Sequence, residues 1–540
     1  MDQRLLEKAD HLLSLEKGTI YKDPGGKITI ALVYPNTYAV GMSSLGFQGI
    51  YGLLNAMPDV VCERAFLPPG DDLEVFRRTN TELFTLESRR PLSRFDIVAF
   101  SVSFENDYPN ILKILALAKI PLRSSGRNTR HPLVVMGGVC CFYNPEPLAD
   151  FIDICFVGEA EDMLPEFIAL CRRSGTRREL YQAAMQITGV YVPHSYIVDY
   201  GEKDHRIVER RALDHAPAVI KKRTVRDLSC SLIKPSIITP EAEFSNMYLA
   251  EAMRGCPWSC RFCIAGHIYN PPRKKDPSDL KGEIGEAMKK TGKVGLVGPS
   301  LSDYPHIADI LAIEGVDFSI TSLRASAQSG RIISLMRGHK SVSIAPEAGT
   351  VRLRKVIHKQ ISEEDILDSA GLILSAGVET LRLYFMIGLP TETQEDIEGI
   401  IELVKKIRSQ NRRGYITLSV STFVPKPFTP FQWLPMAKMS EVKERQRHIK
   451  KRLSHVKGVK VFHDVLKQAY IQGLFSVGDR RSSVLVEALA GFGEASVRKA
   501  DYDYYLFRNR DVAEILPWDF IDAGIPKDKL WWEYQAALSG

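Results

Sequence analysis

Three cysteines fall within eight residues in Arg254-Gly255-Cys256-Pro257-Trp258-Ser259-Cys260-Arg261-Phe262-Cys263. The spacing, Cys-x3-Cys-x2-Cys, puts three thiolates on one short loop. A cubane of four irons normally takes four thiolates. Three local ones leave one iron open to an exogenous ligand, which is what a substrate-binding cluster requires. Zinc also favours thiolates, and His267, four residues after Cys263, could complete its set. Structural zinc usually draws its ligands as pairs separated by a longer loop, so zinc stands behind.

The chain of 540 residues has nine cysteines, an odd number, and its first residues lack the apolar core of a signal peptide. A disulfide scaffold is not expected, and cysteine function should be catalytic or metal-binding. Cys62, Cys140, Cys141, Cys155, Cys171 and Cys230 read as small buried side chains. With 45% hydrophobic and 25% charged residues, the composition is that of a soluble globular protein. No apolar run is long enough to span a membrane, and a cytoplasmic location is expected. The net charge of +6 permits an anionic partner without arguing for one. The basic clusters 273–275, 405–406 and 448–452 read as solvated faces, since no aromatics interleave with them in a reader pattern.

Two alternating series must position the cysteine loop. Between 27 and 172, strand candidates at 28–33, 60–65, 97–104, 133–136 and 154–157 alternate with helical segments. This predicts a parallel sheet with helices on both faces, ligands binding at the strands' carboxyl ends. From 244 to 435, strands at 246–251, 294–297, 318–321, 342–345, 380–387 and 416–423 predict an incomplete β/α barrel with its working residues on the loops after the strands. Ser362 with Asp365 and Thr393 with Asp396 are capping boxes opening two of its helices. Residues 436–540 begin with a long basic helix and end in an aromatic tail with Trp518, Trp531 and Trp532.

The cysteine loop resembles the Cys-x3-Cys-x-aromatic-Cys signature of the radical S-adenosylmethionine (SAM) superfamily, with Phe262 in the aromatic slot. The resemblance implies that Cys256, Cys260 and Cys263 ligate three irons of a [4Fe-4S] cluster while the amino and carboxylate groups of SAM chelate the fourth. Reduction then cleaves SAM to methionine and a 5′-deoxyadenosyl radical, using a one-electron reductant such as flavodoxin or ferredoxin. Gly295-Leu296-Val297-Gly298-Pro299-Ser300 is similar to the family's turn for the SAM amino group, without its glutamate. By the same resemblance Gly298, Ser300, Ser322, Arg324 and Glu347 are SAM-contact positions. Gly388, in Gly388-Leu389-Pro390-Thr391-Glu392-Thr393, lies near the adenine.

The whole chain is similar to the subgroup with a cobalamin-binding-type domain before the barrel. Gly137, Gly138 and the run Val157-Gly158-Glu159-Ala160-Glu161 carry that likeness, and Ser101, at a strand end, joins them as a cofactor contact. Where such domains read Asp-x-His-x-x-Gly, this chain reads Asn36-Thr37-Tyr38-Ala39-Val40-Gly41. Tyr38 therefore takes the place of the lower-ligand histidine, and a neutral phenol is a poor cobalt ligand. Cobalamin would then bind with no protein nitrogen below the metal.

The expected organisation is a flavodoxin-like doubly wound domain (1–175), a connector (176–243), a partial (β/α)6 TIM-like barrel (244–435) and a small α+β domain (436–540). The expected function is radical SAM chemistry with cobalamin-associated methyl transfer to an unactivated carbon. One alternative is a cobalamin-independent radical SAM enzyme whose amino-terminal domain binds substrate. A second, of another class, is a metal-dependent RNA- or protein-binding protein. Asp303, Tyr304 and His306 are candidates to face the substrate, and the arginines of Gly478-Asp479-Arg480-Arg481 are candidates to grip an anion or to form internal salt bridges.

Overall fold

The computed structural model describes residues 2–539 except 230, 321–322, 327–331, 333, 336–339, 412 and 494–496. The amino-terminal strands are β1 (Ile28–Tyr34), β2 (Val60–Phe66), β3 (Ile97–Ser101), β4 (Leu133–Gly137), β5 (Ile154–Phe156) and β6 (Val190–Tyr191). Their order is β2-β1-β3-β4-β5-β6, parallel except for β6. The runs Ile30–Tyr34 and Val60–Phe66 are buried throughout, as expected of a parallel sheet covered on both faces. Consecutive strands β1 and β2 lie to one side and β3 to β5 to the other. The order thus reverses at β1/β3, the kind of point where open α/β sheets hold ligands. Helices α1 (Leu45–Ala56) and α2 (Ala160–Arg173) begin at the carboxyl edge of this sheet.

The second series is β7 (Tyr248–Glu251), β8 (Lys293–Val297), β9 (Asp317–Ile320), β10 (Ser341–Glu347), β11 (Thr380–Ile387), β12 (Tyr415–Thr422) and β13 (Val459–His463). Strands β7-β8-β9 and β10-β11-β12-β13 form two parallel sheets, linked by a parallel bridge from Leu323 to Ile344. Helices α3 (Val351–Val356), α4 (Glu363–Ser375), α5 (Gln394–Gln410) and α6 (Met439–Leu453) intervene. Both expected capping boxes form, Ser362 with Asp365 and Thr393 with Asp396.

Two expectations are corrected. The parallel series has seven strands, not six, because β13 pairs with β12 beyond residue 435. The basic helix α6 is therefore the crossover into β13 and not the start of a separate domain. Its cations dominate the sequence, but Val442, Ile449 and Leu453 form a buried stripe in the same core as Ile397 and Ile401 of α5. The segment 176–243 is also no simple connector. It supplies β6 to the first sheet, a hairpin at Tyr196–Tyr200 and Ile207–Ala212, and Ile220–Lys221, which pairs with Ile521–Asp522.

The chain from Trp433 onward closes over both units. Trp433, Phe475, Leu485 and Trp518 share one core with the first sheet. Arg480 does not grip an external anion but bonds Tyr191 (2.7 Å) and pairs with buried Glu146 (3.3 Å); Arg481 pairs with Asp479 (2.5 Å). The final helix α7 (Lys527–Ser539) packs Ala537 against Leu353 and Val356 of α3. No described helix is long and apolar enough to cross a membrane.

Candidate active site

The cysteine loop leaves the carboxyl end of β7 through a short antiparallel pairing of Met253–Arg254 with Arg273–Lys274. Gly255 has φ +81°, and a Cβ there would stand 2.4 Å from the Tyr269 carbonyl oxygen, so only glycine admits the turn. The Cys256 amide then donates to the Ala265 carbonyl (3.2 Å), and the Cys263 amide to the Cys260 carbonyl (3.1 Å). Arg261 fastens the outer side. Its amide donates to the Ile357 carbonyl (3.0 Å), its Nη1 to the Val356 carbonyl (2.9 Å) and its Nε to Glu533 on α7 (2.9 Å). The loop is thus held to the end of α3 and to the final helix at once.

Arg254 fastens the inner side. Its guanidinium bonds both carboxylate oxygens of Glu251 (2.9 and 2.8 Å) and pairs with Glu159 (3.1 Å) and Glu161 (2.9 Å) of the first unit. Arg273 adds two bonds of 2.7 Å to Glu159. Burial opposes the charge of Glu159, but Arg273 and Arg254 outweigh it and hold its carboxyl below the usual range. Burial also pushes nearby Lys222 down to about 8.

Burial raises the pKa of all three site thiols, that of Cys263 to about 11. Lys359 and Arg324 oppose the rise at Cys260, and backbone amides oppose it at Cys256 and Cys263. Metal binding must therefore displace protons. Among the described residues no three His, Cys, Asp or Glu side chains converge closely enough to hold one ion. His267 instead sets its Nδ1 2.8 Å from the Cys263 carbonyl oxygen. Three thiols on one loop, each within electrostatic reach of another, fit the donor set of a cubane, which is wider than a single ion and takes thiolates.

Between the loop and the carboxyl edge of the first sheet lies a chamber of ≈ 450 Å³, walled by Ser101, Gly138 and Gly158 on one side and Met253, Gly255 and Gly298 on the other. A smaller apolar slot of ≈ 70 Å³ lies between the first sheet and helices α1 and α2. It shares Ser101, Gly138 and Gly158 with the chamber.

Residues 251–404 match the family model described as "Radical SAM superfamily", and residues 46–193 that described as "Radical SAM proteins, N-terminal". An uncharacterized protein, MJ0966 of Methanocaldococcus jannaschii, is 32% identical over 465 residues, 84% of this chain and 89% of that protein. The chain belongs to the radical SAM superfamily. A tRNA-2-methylthio-N(6)-dimethylallyladenosine synthase of Desulforamulus reducens is 26% identical over 212 residues, 36% of this chain and 44% of that protein. The cobalamin-dependent S-adenosylmethionine radical enzyme OxsB, solved with aqua-cobalamin bound, aligns with a TM-score of 0.47 at 15% identity, over 70% of this chain and 52% of that one. Membership in the radical SAM superfamily implies a [4Fe-4S] cluster and SAM.

The positions assigned to SAM by resemblance lie in varied surroundings. Gly298 lines the chamber, while Ser300 is buried and donates to Asp303 (2.5 Å). Asp303 also accepts from the Trp258 indole (2.7 Å), so it braces the cysteine loop and does not stand free. Arg324 lies 3.5 Å from the Trp258 ring centroid and donates to the Gln360 carbonyl (2.7 Å). Glu347, at the bulged end of β10 with φ +67°, pairs with Lys359 (3.3 Å). Gly388 (φ +77°) donates its amide to Glu392 (2.8 Å), whose carboxyl burial pushes up to about 7. Phe262 packs half-buried against the small core that contains Leu389 and Phe423. Ser322, like Cys230, lies outside the described residues. Tyr304 is buried, and His306 is exposed beside Asp309.

In the first unit Ser101 and Gly138 line both cavities and Gly137 lines the slot. Asn36, Tyr38 and Gly41 are not among their walls. The Tyr38 hydroxyl donates to Glu16 (2.6 Å) and lies 3.2 Å from the Thr239 hydroxyl, and burial raises its pKa. Asn36 donates to Asp107 (2.8 Å), whose carboxyl burial pushes up to about 6. Gly41 lies against Phe66. These residues knit the fold at the sheet edge, because each polar atom already has an internal partner.

Proposed function

We propose that this protein uses a [4Fe-4S] cluster on Cys256, Cys260 and Cys263 to cleave SAM reductively and abstract a hydrogen atom from a substrate. The observation that carries the reading is the three-thiol loop at a parallel strand's carboxyl end, beside an open chamber to whose wall it contributes Gly255 and Ala265. At ≈ 450 Å³ the chamber has the volume of a drug-sized ligand, which suits SAM. When bound, the cluster supplies the electron that splits SAM into methionine and a 5′-deoxyadenosyl radical. The chain's own contribution is placement and exclusion of water. Gly298 offers backbone at the chamber wall, and Arg324 and Lys359 place positive charge beside Cys260. Anaerobic reconstitution with iron and sulfide, then dithionite and SAM, should yield 5′-deoxyadenosine. Replacing the three cysteines by alanine should abolish both the iron–sulfur absorption and this product. Cleavage that persists in the triple variant refutes the assignment.

Cobalamin-assisted methyl transfer is a second reading, favoured by the apolar slot that shares Ser101, Gly138 and Gly158 with the chamber. It would suit an apolar ligand tail. One feature opposes it: Tyr38 is tied to Glu16 and lines neither cavity. Hydroxocobalamin retained stoichiometrically after desalting, without nitrogen coupling in the cob(II)alamin EPR spectrum, supports the second reading. Its loss on desalting leaves the chamber to SAM and substrate.

A further inference from the structure

The sheet β10-β11-β12-β13 has one covered face. Leu381, Leu383 and Phe385 of β11 and Ile416, Leu418 and Val420 of β12 are buried in one core with α4, α5 and α6. Side chains alternate along a strand, so the intervening residues form the opposite face, where Arg382, Tyr384, Tyr415, Lys460 and Phe462 are exposed.

Register orders these residues into rows. Arg382 stands beside Thr417 and Thr417 beside Lys460; one step along, Tyr384 stands beside Ser419 and Ser419 beside Phe462. Tyr384, Tyr415 and Phe462 are 37%, 61% and 57% exposed, unusual for large rings on three adjacent strands. Strands lie about 4.8 Å apart, so Tyr384 and Phe462 are rooted about 10 Å apart with only a serine between them. A flat ring fits that gap. No carboxylate occupies either row, and no ion pair engages Arg382 or Lys460 among the described residues. At the upper end, Met386 follows Tyr384 on the same face and packs on the same small core as Phe262 of the cysteine loop.

Exposed rings on adjacent strands, interleaved with unpaired cations, are what successive bases and phosphates require. An apolar helix would instead leave Arg382 and Lys460 desolvated. We propose that this face docks single-stranded RNA. Bases stack on Tyr384, Phe462 and Tyr415, phosphates meet Arg382 and Lys460, and the strand leads a target nucleotide towards the cysteine loop. The hydroxyls of Thr417 and Ser419 offer partners to 2′-hydroxyls, which favours RNA over DNA. The reading rests on the proposed radical chemistry for its purpose, but its binding does not depend on it.

The test is fluorescence anisotropy of the full-length, anaerobically prepared protein with labelled mixed-sequence RNA of about 12 nucleotides, a length suited to stacking platforms. The same sequence as DNA and as an RNA duplex are the comparison probes. Single-stranded RNA should bind best. Phe462→Ala and Tyr384→Ala should each weaken it about tenfold or more, and Phe462→Trp should retain it. Lys460→Gln should flatten the dependence of log affinity on log salt by about 0.7. Phe462 is exposed, so its truncation leaves the fold intact, which thermal melting checks. Three results would each overturn the proposal: no RNA binding, equal duplex binding, or competition by an unfolded polypeptide with aromatic variants behaving as wild type. Cleavage of SAM is measured separately on the same preparations, so RNA binding without 5′-deoxyadenosine sinks the chemistry alone, and the converse sinks the platform alone.

Discussion

Replacing Arg254 by glutamine removes the cation that three carboxylates share, and the structure sets the size of the loss. The Arg254, Glu251, Glu159 and Glu161 side chains are 11%, 10%, 3% and 7% exposed, so the network is screened little by water. The three carboxylates do not lose equally. Glu159 keeps both bonds from Arg273, and Glu161 keeps the Ser231 hydroxyl at 3.1 Å. Glu251 keeps no cation among the pairs described. Breaking one buried pair costs about 3–5 kcal/mol, mostly the penalty of stranding a charge. Arg254→Gln should therefore lower the first unfolding transition in urea by about 3–5 kcal/mol. The double variant Arg254→Gln/Glu251→Gln should recover most of it, because the stranded charge is then gone. The pH dependence has a defined sign. Glu159, held below its usual pKa, contributes stability that is present above its unfolded value near 4.5 and lost as pH falls through the lower folded value. Arg254 is one of the cations that hold the Glu159 carboxyl down, so the gap between wild type and Arg254→Gln should narrow as pH falls through that lowered folded value. Iron content should fall as well, since Arg254 precedes Gly255 and Cys256. A loss under about 1 kcal/mol, or one that Glu251→Gln does not relieve, refutes the hub.

Arg261→Ala removes a buried guanidinium whose bonds run to the end of α3 and to Glu533. Charged hydrogen bonds of this kind contribute about 1.5–3 kcal/mol. The variant should remain folded yet lose reconstituted iron faster under chelator, with Arg261→Lys intermediate because it lacks the fork; unchanged iron loss would show that α7 plays no part in holding the loop. Asp107, raised by burial to about 6, costs stability as pH rises from about 3.8 to 6, a cost that persists above 6. Asp107→Asn should therefore melt higher than wild type at pH 8, by at most about 2–3 kcal/mol, with the gain shrinking below pH 6. A melting difference that does not vary with pH contradicts this.

The cysteine loop was legible because its spacing is local and its chemistry narrow. The two strand series were legible because parallel strands buried on both faces read as continuous apolar runs, as Val60–Phe66 does. What escaped was whatever depended on partners distant in sequence. In the sequence Arg254 is only the residue before the loop's glycine. Its three carboxylates lie three residues before it and more than ninety before it, and no local pattern pairs them. Arg261 finds Glu533 across 272 residues. Tyr38 occupies a slot defined by resemblance, but its hydroxyl is committed to Glu16, on the opposite side of the strand-to-helix turn in sequence. Helix α6 was misassigned for another reason: nine cations in and around it mask the three apolar positions that make it a crossover.

These contacts explain why so much chain surrounds one short loop. A Cys-x3-Cys-x2-Cys segment carries few apolar side chains, and its buried thiols favour the protonated state until metal displaces the protons. It cannot hold its own shape by packing, so the shape must come from outside. The structure supplies it from three directions: Arg254 to the first unit, Trp258 through Asp303 to the end of β8, and Arg261 to α3 and α7. Each anchor is a polar side chain with a fixed direction, which positions the loop more precisely than apolar contact would.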